Sequence, residues 1–281
     1  MNPLVIRASG RQVGTLTHDP ARNLFDFVYD QDWRRSEDSF PLSPQMPMAS
    51  DAAEADGAPL AALAPETRSA IARAFFQNLL PEGQALDVAA QANGLSKANL
   101  AGLLLALGSE TAGALSVSLA DAPATPFAER ESLRALSFEE LSERIRARSQ
   151  VPFSVWDGKV RLSIAGLQDK IAVYEDNGDL FLANGDGFAS TVILKPAPQN
   201  PRFADLPAVE HVCMHLAAAV GIPTARTRLL HVPEPVLLVE RFDRRRSTDG
   251  RVERLHIIDA CQGPASRRTS STSAPTGIRT R

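Results

Sequence analysis

An α+β fold is what this sequence predicts, on three observations. Short alternating apolar runs occur near both ends, as in "LFDFVYD" (24–30) and "PVLLVERFDRR" (235–245). The second half reads as strands, one helix, then strands again, without βαβ alternation. With 281 residues, 44% of them hydrophobic, the chain can bury the core of one large domain or two ordinary ones.

Taken in order, "PLVIRASGRQVGTLT" (3–17) reads as two short strands around a turn at Ser9-Gly10, and residues 24–30 as a third strand. "SFPLSPQMPM" (39–48) holds three prolines and is extended at best. "SDAAEADGAPLAALAP" (50–65) has the small residues of a surface insertion. "PETRSAIARAFFQNLLPEG" (65–83) is helical, with Ile71, Phe75 and Leu79 on one face and Pro81 as its stop. Residues 86–120 give two or three helices, with Gly94, Gly102 and Gly108 near their ends, then a strand. "DAPATPFAERES" (121–132) is the linker candidate. "SFEELSERIRARSQ" (137–150) opens with Ser137 and carries Glu140 three residues on, a capping-box arrangement.

Beyond it, residues 159–187 read strand, tight loop, strand, turn at Asn177-Gly178, strand. "STVILKPAP" (190–198) is a β-branched strand ending in Lys195. "DLPAVEHVCMHLAAAVGIP" (205–223) is a helix that groups Val209, Val212, Cys213, Leu216, Ala217 and Val220 on one face, with Gly221 and Pro223 at its exit. "ARTRLLHV", "PVLLVERFDRR" and "RVERLHII" are further strands.

Composition removes several classes of function. The formal net charge is −3, and the last nineteen residues hold four arginines and no acid, so residues 1–262 stand at −7. An acidic body gives no electrostatic reason for direct nucleic-acid binding. Two cysteines, Cys213 and Cys261, make no disulfide framework and fit a reducing compartment. No apolar run approaches a membrane span, and the N-terminus lacks a signal-peptide core, so a cytoplasmic protein without a membrane partner is expected. His211 and His215 are four apart on one helix, but "EHVCMH" lacks the order of a zincin motif, and no metal site is expected.

Three features bear chemistry. The small-residue loop Ser163-Ile164-Ala165-Gly166-Leu167-Gln168-Asp169-Lys170 lets backbone N–H groups approach an anion, although one glycine between strands is ordinarily only a turn. Lys195 ends an apolar strand, and Glu210 follows fifteen residues later on the next helix. A strand lysine held by a helix glutamate is the logic of a kinase N-lobe; a lysine that snorkels to solvent is the plainer reading. Third, the strand at 236–239 runs into Glu240-Arg241-Phe242-Asp243, where a hinge facing adenine would sit or a charged turn simply begins. Loop, lysine, glutamate and hinge in that order are more specific than any one of them.

With these residues in place, the chain resembles the HipA family of serine/threonine kinase toxins. "VGTLT", "FFQNLLPEG" and "LGSETAGALSV" resemble its N-terminal subdomain, and "LSIAGLQDKIAV" its SxAGxQxK loop. "TVILKP", "VEHVCMHLAAAVGIP", "VERFDRR" and "RLHIIDACQ" follow in the family's order. The resemblance implies a HipA N-terminal subdomain at 1–122 and a kinase N-lobe, an antiparallel sheet with one helix, at 123–262. It implies that Ile164, Ala165, Gly166, Leu167, Gln168 and Asp169 form the phosphate-side loop, that Lys195 binds ATP phosphates with Glu210 as its partner, and that Glu240, Arg241 and Phe242 face adenine. Ser163 matches the serine that relatives autophosphorylate; a phosphate there adds about −2 charge at the nucleotide's mouth. Leu167 and Asp169 stand where Ala and Glu are commoner, and "PAV" before Glu210 drops the family's acidic and Asn neighbours.

The family also implies ATP and Mg²⁺ as cofactors and a HipB-like helix-turn-helix antitoxin as partner, with DNA reached only through it. The catalytic Asp and the metal ligands belong to a helical C-terminal lobe with a D-x-H-x-K-N-like motif, and none follows Gln262. The expectation is therefore an ATP-binding half, inactive alone; the alternative is a non-enzymatic module that binds the antitoxin. Residues 263–281 read as a disordered tail. With G+C-rich codons, a frame shifted by two bases permits "PGLPPHLKYE" there, the family's own continuation, so a frameshift near Gln262–Gly263 is the reading of this tail.

Overall fold

Ser9 and Gly10 adopt φ of 48° and 77°, which lets a two-residue loop join β1 (Leu4–Ala8) to β2 (Arg11–Asp19). The structure, a computed structural model, describes residues 3–48, 60–109, 111–120, 132–161, 168–184, 189–247 and 252–259. Most of the insertion, the linker at 121–131, the loop residues 162–167, Cys261 and the tail lie outside the described residues.

With β3 (Leu24–Tyr29) and β4 (Leu115–Leu119), the hairpin makes an antiparallel sheet of order β3-β2-β1-β4. Gly14 lies where the Phe27 ring crosses β2, and a Cβ there would collide with that ring. After the short α1 (Gln31–Arg34), the sheet is covered by α2 (Pro65–Gln77) and α4 (Leu100–Leu107), and α3 (Gly83–Ala92) packs on α4. Ile6, Leu16, Phe27, Phe76, Leu103 and Leu104 are buried in this first core. The proline-rich stretch is not merely extended: Leu42, Met46 and Met48 belong to the same core. The Tyr29 hydroxyl holds it by donating to the Met46 carbonyl (2.5 Å) and accepting from the Leu42 N–H (2.7 Å).

A second core centres on a six-stranded antiparallel sheet. Its strands are β5 (Ser132–Leu136), β8 (Ile171–Asp176), β9 (Asp179–Asn184), β10 (Val192–Pro196), β11 (Thr227–His231) and β12 (Pro235–Glu240), ordered β11-β12-β10-β8-β9-β5. The turn at Asn177-Gly178 has φ of 50° and 96°. The edge strand β5 was hidden behind the linker composition. α5 (Phe138–Arg146) and the hairpin of β6 (Val155–Trp156) and β7 (Lys159–Val160) add Leu141, Phe153 and Trp156 to this core. Only half of the capping box forms. Ser137 Oγ accepts the Glu140 N–H (3.1 Å), but the Glu140 carboxylate takes two hydrogen bonds from Arg134 (2.9 Å each).

α6 (Leu206–Ala219) turns the expected face outward except at Ala217. Val209, Val212, Leu216 and Val220 are 53–76% exposed. The less exposed stripe runs through Pro207, Glu210, His211, Met214 and Ala217, on the helix that packs on β11 and β12. Both stripes are apolar enough to satisfy helical periodicity, so the pattern selects no face.

The two cores meet at a polar seam beside β13 (Arg244–Arg246) and β14 (Val252–Arg254). Buried Asp243 accepts from the Gly113 N–H (2.7 Å), from Arg241 (2.7 and 2.9 Å) and from Arg244 (2.9 Å). Both arginines also donate to the Thr111 carbonyl, and Arg254 donates to that of Ser109. His256 stacks on Phe40 at 4.2 Å and donates to the Leu42 carbonyl. Among the described residues no helix is long and apolar enough to cross a membrane.

Candidate functional site

Side chains alternate across a strand, and Val192 and Leu194 of β10 are buried in the second core. Ile193 and Lys195 therefore face the other way, toward α6. There Lys195 Nζ lies 2.5 Å from Glu210 Oε1, with the two side chains 21% and 28% exposed. β10 is flanked on both sides, by β8 and β12, so the strand that carries the lysine is held rigidly.

A second lysine lies close by, the last residue of the small-residue loop. Lys170, just ahead of β8, is only 5% exposed. Burial, then the positive charge of Lys195, pushes its ammonium down to about 8, against the pull of Glu82, Asp169 and Glu210. Its signal in the sequence is its place at the end of the SxAGxQxK-like loop, directly before a strand whose first four residues are buried. Of the loop itself, Gln168 Nε2 donates weakly to the Pro196 carbonyl (3.4 Å) and Asp169 is exposed. Ser163, Ile164, Ala165, Gly166 and Leu167 lie outside the described residues.

At the end of β12, the Glu240 N–H donates to Arg226 O (2.8 Å) and the Arg241 N–H to Thr191 O (2.9 Å). The Arg241 side chain is committed to the seam and its N–H to Thr191, so only its carbonyl can meet a ligand. Phe242 is 74% exposed. A polar cleft of about 500 Å³ borders Glu240, but its arginines are paired with acids: Arg228 with Glu175 (3.0 Å), Arg246 with Asp176 (3.3 Å), and Arg241 and Arg244 with Asp243 beneath it (2.7 and 2.9 Å). It offers no surplus positive charge for a phosphate.

The arrangement can fix a cation, Lys195, against an anionic ligand above the sheet, with a second buried ammonium nearby. For Mg²⁺ the described residues do not fit: no group of three or more His, Cys, Asp or Glu among them could hold a metal.

Lys170 has a measurable consequence. Its ordinary pKa of 10.5 falls to about 8 in the folded chain. Between these values the unfolded chain binds a proton that the folded chain has lost, so stability rises with pH across that window. The gain is about 3 kcal/mol in total, since each tenfold change in proton affinity is worth about 1.4 kcal/mol. Below pH 8 both states are protonated and the penalty is constant. Urea unfolding from pH 7.5 to 10.5 should show this rise in the native chain relative to Lys170→Met, and parallel pH curves would refute it.

Comparison with known proteins adds the following. A family model described as the HipA N-terminal domain matches residues 4–118, and one described as the HipA-like C-terminal domain matches residues 162–271. The serine/threonine-protein kinase toxin HipA of Shewanella oneidensis is 34% identical over 252 residues, 89% of this chain and 52% of the relative. The putative kinase Y4mE of Sinorhizobium fredii is 34% identical over 282 residues, 95% of this chain and 61% of the relative. A solved chain in the complex of Shewanella oneidensis MR-1 HipA, HipB and operator DNA superimposes with a TM-score of 0.73 at 32% identity, covering 94% of this chain and 57% of that one. The chain thus spans between half and two thirds of the length of these relatives.

Proposed function

This chain belongs to the HipA family, and on that premise we propose that it carries the ATP-gripping part of a HipA-like serine/threonine kinase toxin. The observation that carries the reading is the 2.5 Å contact between Lys195 and Glu210 on the α6-facing side of a central strand. In this reading residues 1–122 form the HipA N-terminal subdomain and 123–262 a kinase-like N-lobe. Lys195 grips the phosphates of ATP, and Glu210 holds its ammonium in position. Ile164, Ala165, Gly166, Leu167, Gln168 and Asp169 form the phosphate-side loop. Glu240, Arg241 and Phe242 present backbone groups to adenine; among the described residues no backbone carbonyl accepts the Phe242 N–H. Ser163 is the serine that a complete kinase of this family would autophosphorylate. ATP supplies the phosphoryl group, and no step is assigned to Mg²⁺ on the described residues.

The partner is a HipB-like antitoxin, and operator DNA is reached through it, in keeping with the acidic body of this chain and with the HipA–HipB–DNA assembly of the structural neighbour. The polypeptide of residues 1–281 is expected to bind ATP without transferring phosphate. Incubation of the purified chain with γ-labelled ATP tests this: no label at Ser163 is expected, and labelling without any partner protein overturns it. Capture of the chain by a HipB-like antitoxin, with no nucleotide binding at all, would favour the non-enzymatic docking module instead.

A further inference from the structure

Two imidazoles lie side by side on α6, next to the candidate site and separate from its chemistry. His211 and His215 occupy positions i and i+4, and their ring centroids are 4.2 Å apart at 57°. Each ring uses its Nδ1 locally. His215 Nδ1 is 3.0 Å from the His211 carbonyl, which only accepts, so Nδ1 carries the hydrogen and Nε2 keeps its lone pair. His211 Nδ1 is 2.9 Å from Thr227 Oγ1 on β11. When that Nδ1–H donates to the hydroxyl, His211 takes the same tautomer, and an oxygen partner on the far nitrogen is how metal-binding imidazoles are commonly oriented.

We infer that His211 and His215 form a two-imidazole chelate for a borderline divalent transition ion such as Zn²⁺, Ni²⁺ or Cu²⁺. Metal–nitrogen bonds of about 2.0–2.1 Å need the two Nε2 atoms about 3 Å apart, a separation that rings at this spacing can adopt. Glu210 does not compete for the ion, because its carboxylate is paired with Lys195. Cys213 is two residues from each histidine, about 200° round the helix, so it points away from both. With no third protein ligand among the described residues, water completes the coordination and the ion exchanges readily. The zincin order that the sequence lacks is not required, because a zincin needs a general base and a chelate does not. The bound ion would clamp residues 211 to 215, the turn that follows Glu210.

Calorimetric titration of the full chain with ZnCl₂ alone tests the site, in a Cys213→Ser, Cys261→Ser background that removes thiolate binding. One ion per chain is expected, with a rise in Tm because the ion binds the folded state. His215 is exposed, so His215→Ala should keep the fold by circular dichroism while losing both the uptake and the Tm rise. Thr227→Val, which removes only the orienting hydroxyl, should weaken binding about 10-fold or more. Equal uptake by His215→Ala, or no saturable uptake by the parent, would overturn the chelate. Unchanged affinity in Thr227→Val would overturn the orienting role.

Discussion

Asp243→Ala is expected to destabilise the chain by about 3–5 kcal/mol, the cost of breaking a buried ion pair from one side. Asp243 is 4% exposed. Burial pushes its pKa up, but the hydrogen bond and charge of Arg241, the charge of Arg244 and the Gly113 N–H outweigh that and hold it below the ordinary 3.8. Removing it takes the shared carboxylate from two guanidinium groups whose side chains are each 2% exposed. The loss should also change how the chain unfolds. Gly113 belongs to the first core's side of the seam and Arg241 to the second's, so Asp243→Ala is expected to turn one urea transition into two. A single transition at an unchanged midpoint would refute this. Acid acts in the corresponding direction: the contribution is complete above pH 3.8 and fades as pH falls through the lower folded value. A second comparison separates charge from packing. Asp243→Asn keeps the shape and should fall between the native chain and the alanine variant.

Lys195→Met should lower ATP affinity about 10- to 100-fold, since a hydrogen bond to a charged group is worth about 1.5–3 kcal/mol. Glu210→Gln should act in the same direction but less, because the ammonium survives and only its anchor is lost. Both side chains are partly exposed, so folding stability should move by less than about 1 kcal/mol. That contrast makes the test specific to ligand binding. Fluorescence titration with a labelled ATP analogue, beside urea unfolding of the same preparations, reads both quantities. Equal affinity of the native chain and Lys195→Met would remove the assignment of the lysine.

Local chemistry was the legible part of this fold. Ser9-Gly10 and Asn177-Gly178 identify their hairpins because few residues tolerate positive φ. Lys195 and Glu210 could be paired on paper because strand and helix are consecutive and the return is short. Long-range partners left no trace. Asp243 meets Gly113 across 130 residues, and nothing near "RFDRR" names that glycine. β5 was obscured by an adjacent Pro- and Ala-rich linker. The direction of α6 failed for a different reason: Pro207 and Met214 compete with Val212 and Leu216 on hydropathy alone, and the choice depends on what lies next to the helix.

Amide hydrogen exchange gives the exposed stripe of α6 a kinetic meaning. β10 is bonded on both flanks, so its amides should exchange only through large openings of the second core. α6 is held along one side, and its amides should exchange through smaller, local openings. Lys195 and Glu210 therefore join a slow-exchanging strand to a fast-exchanging helix. The lifetime of their contact is set by the helix, and the half of the pair that moves is the glutamate.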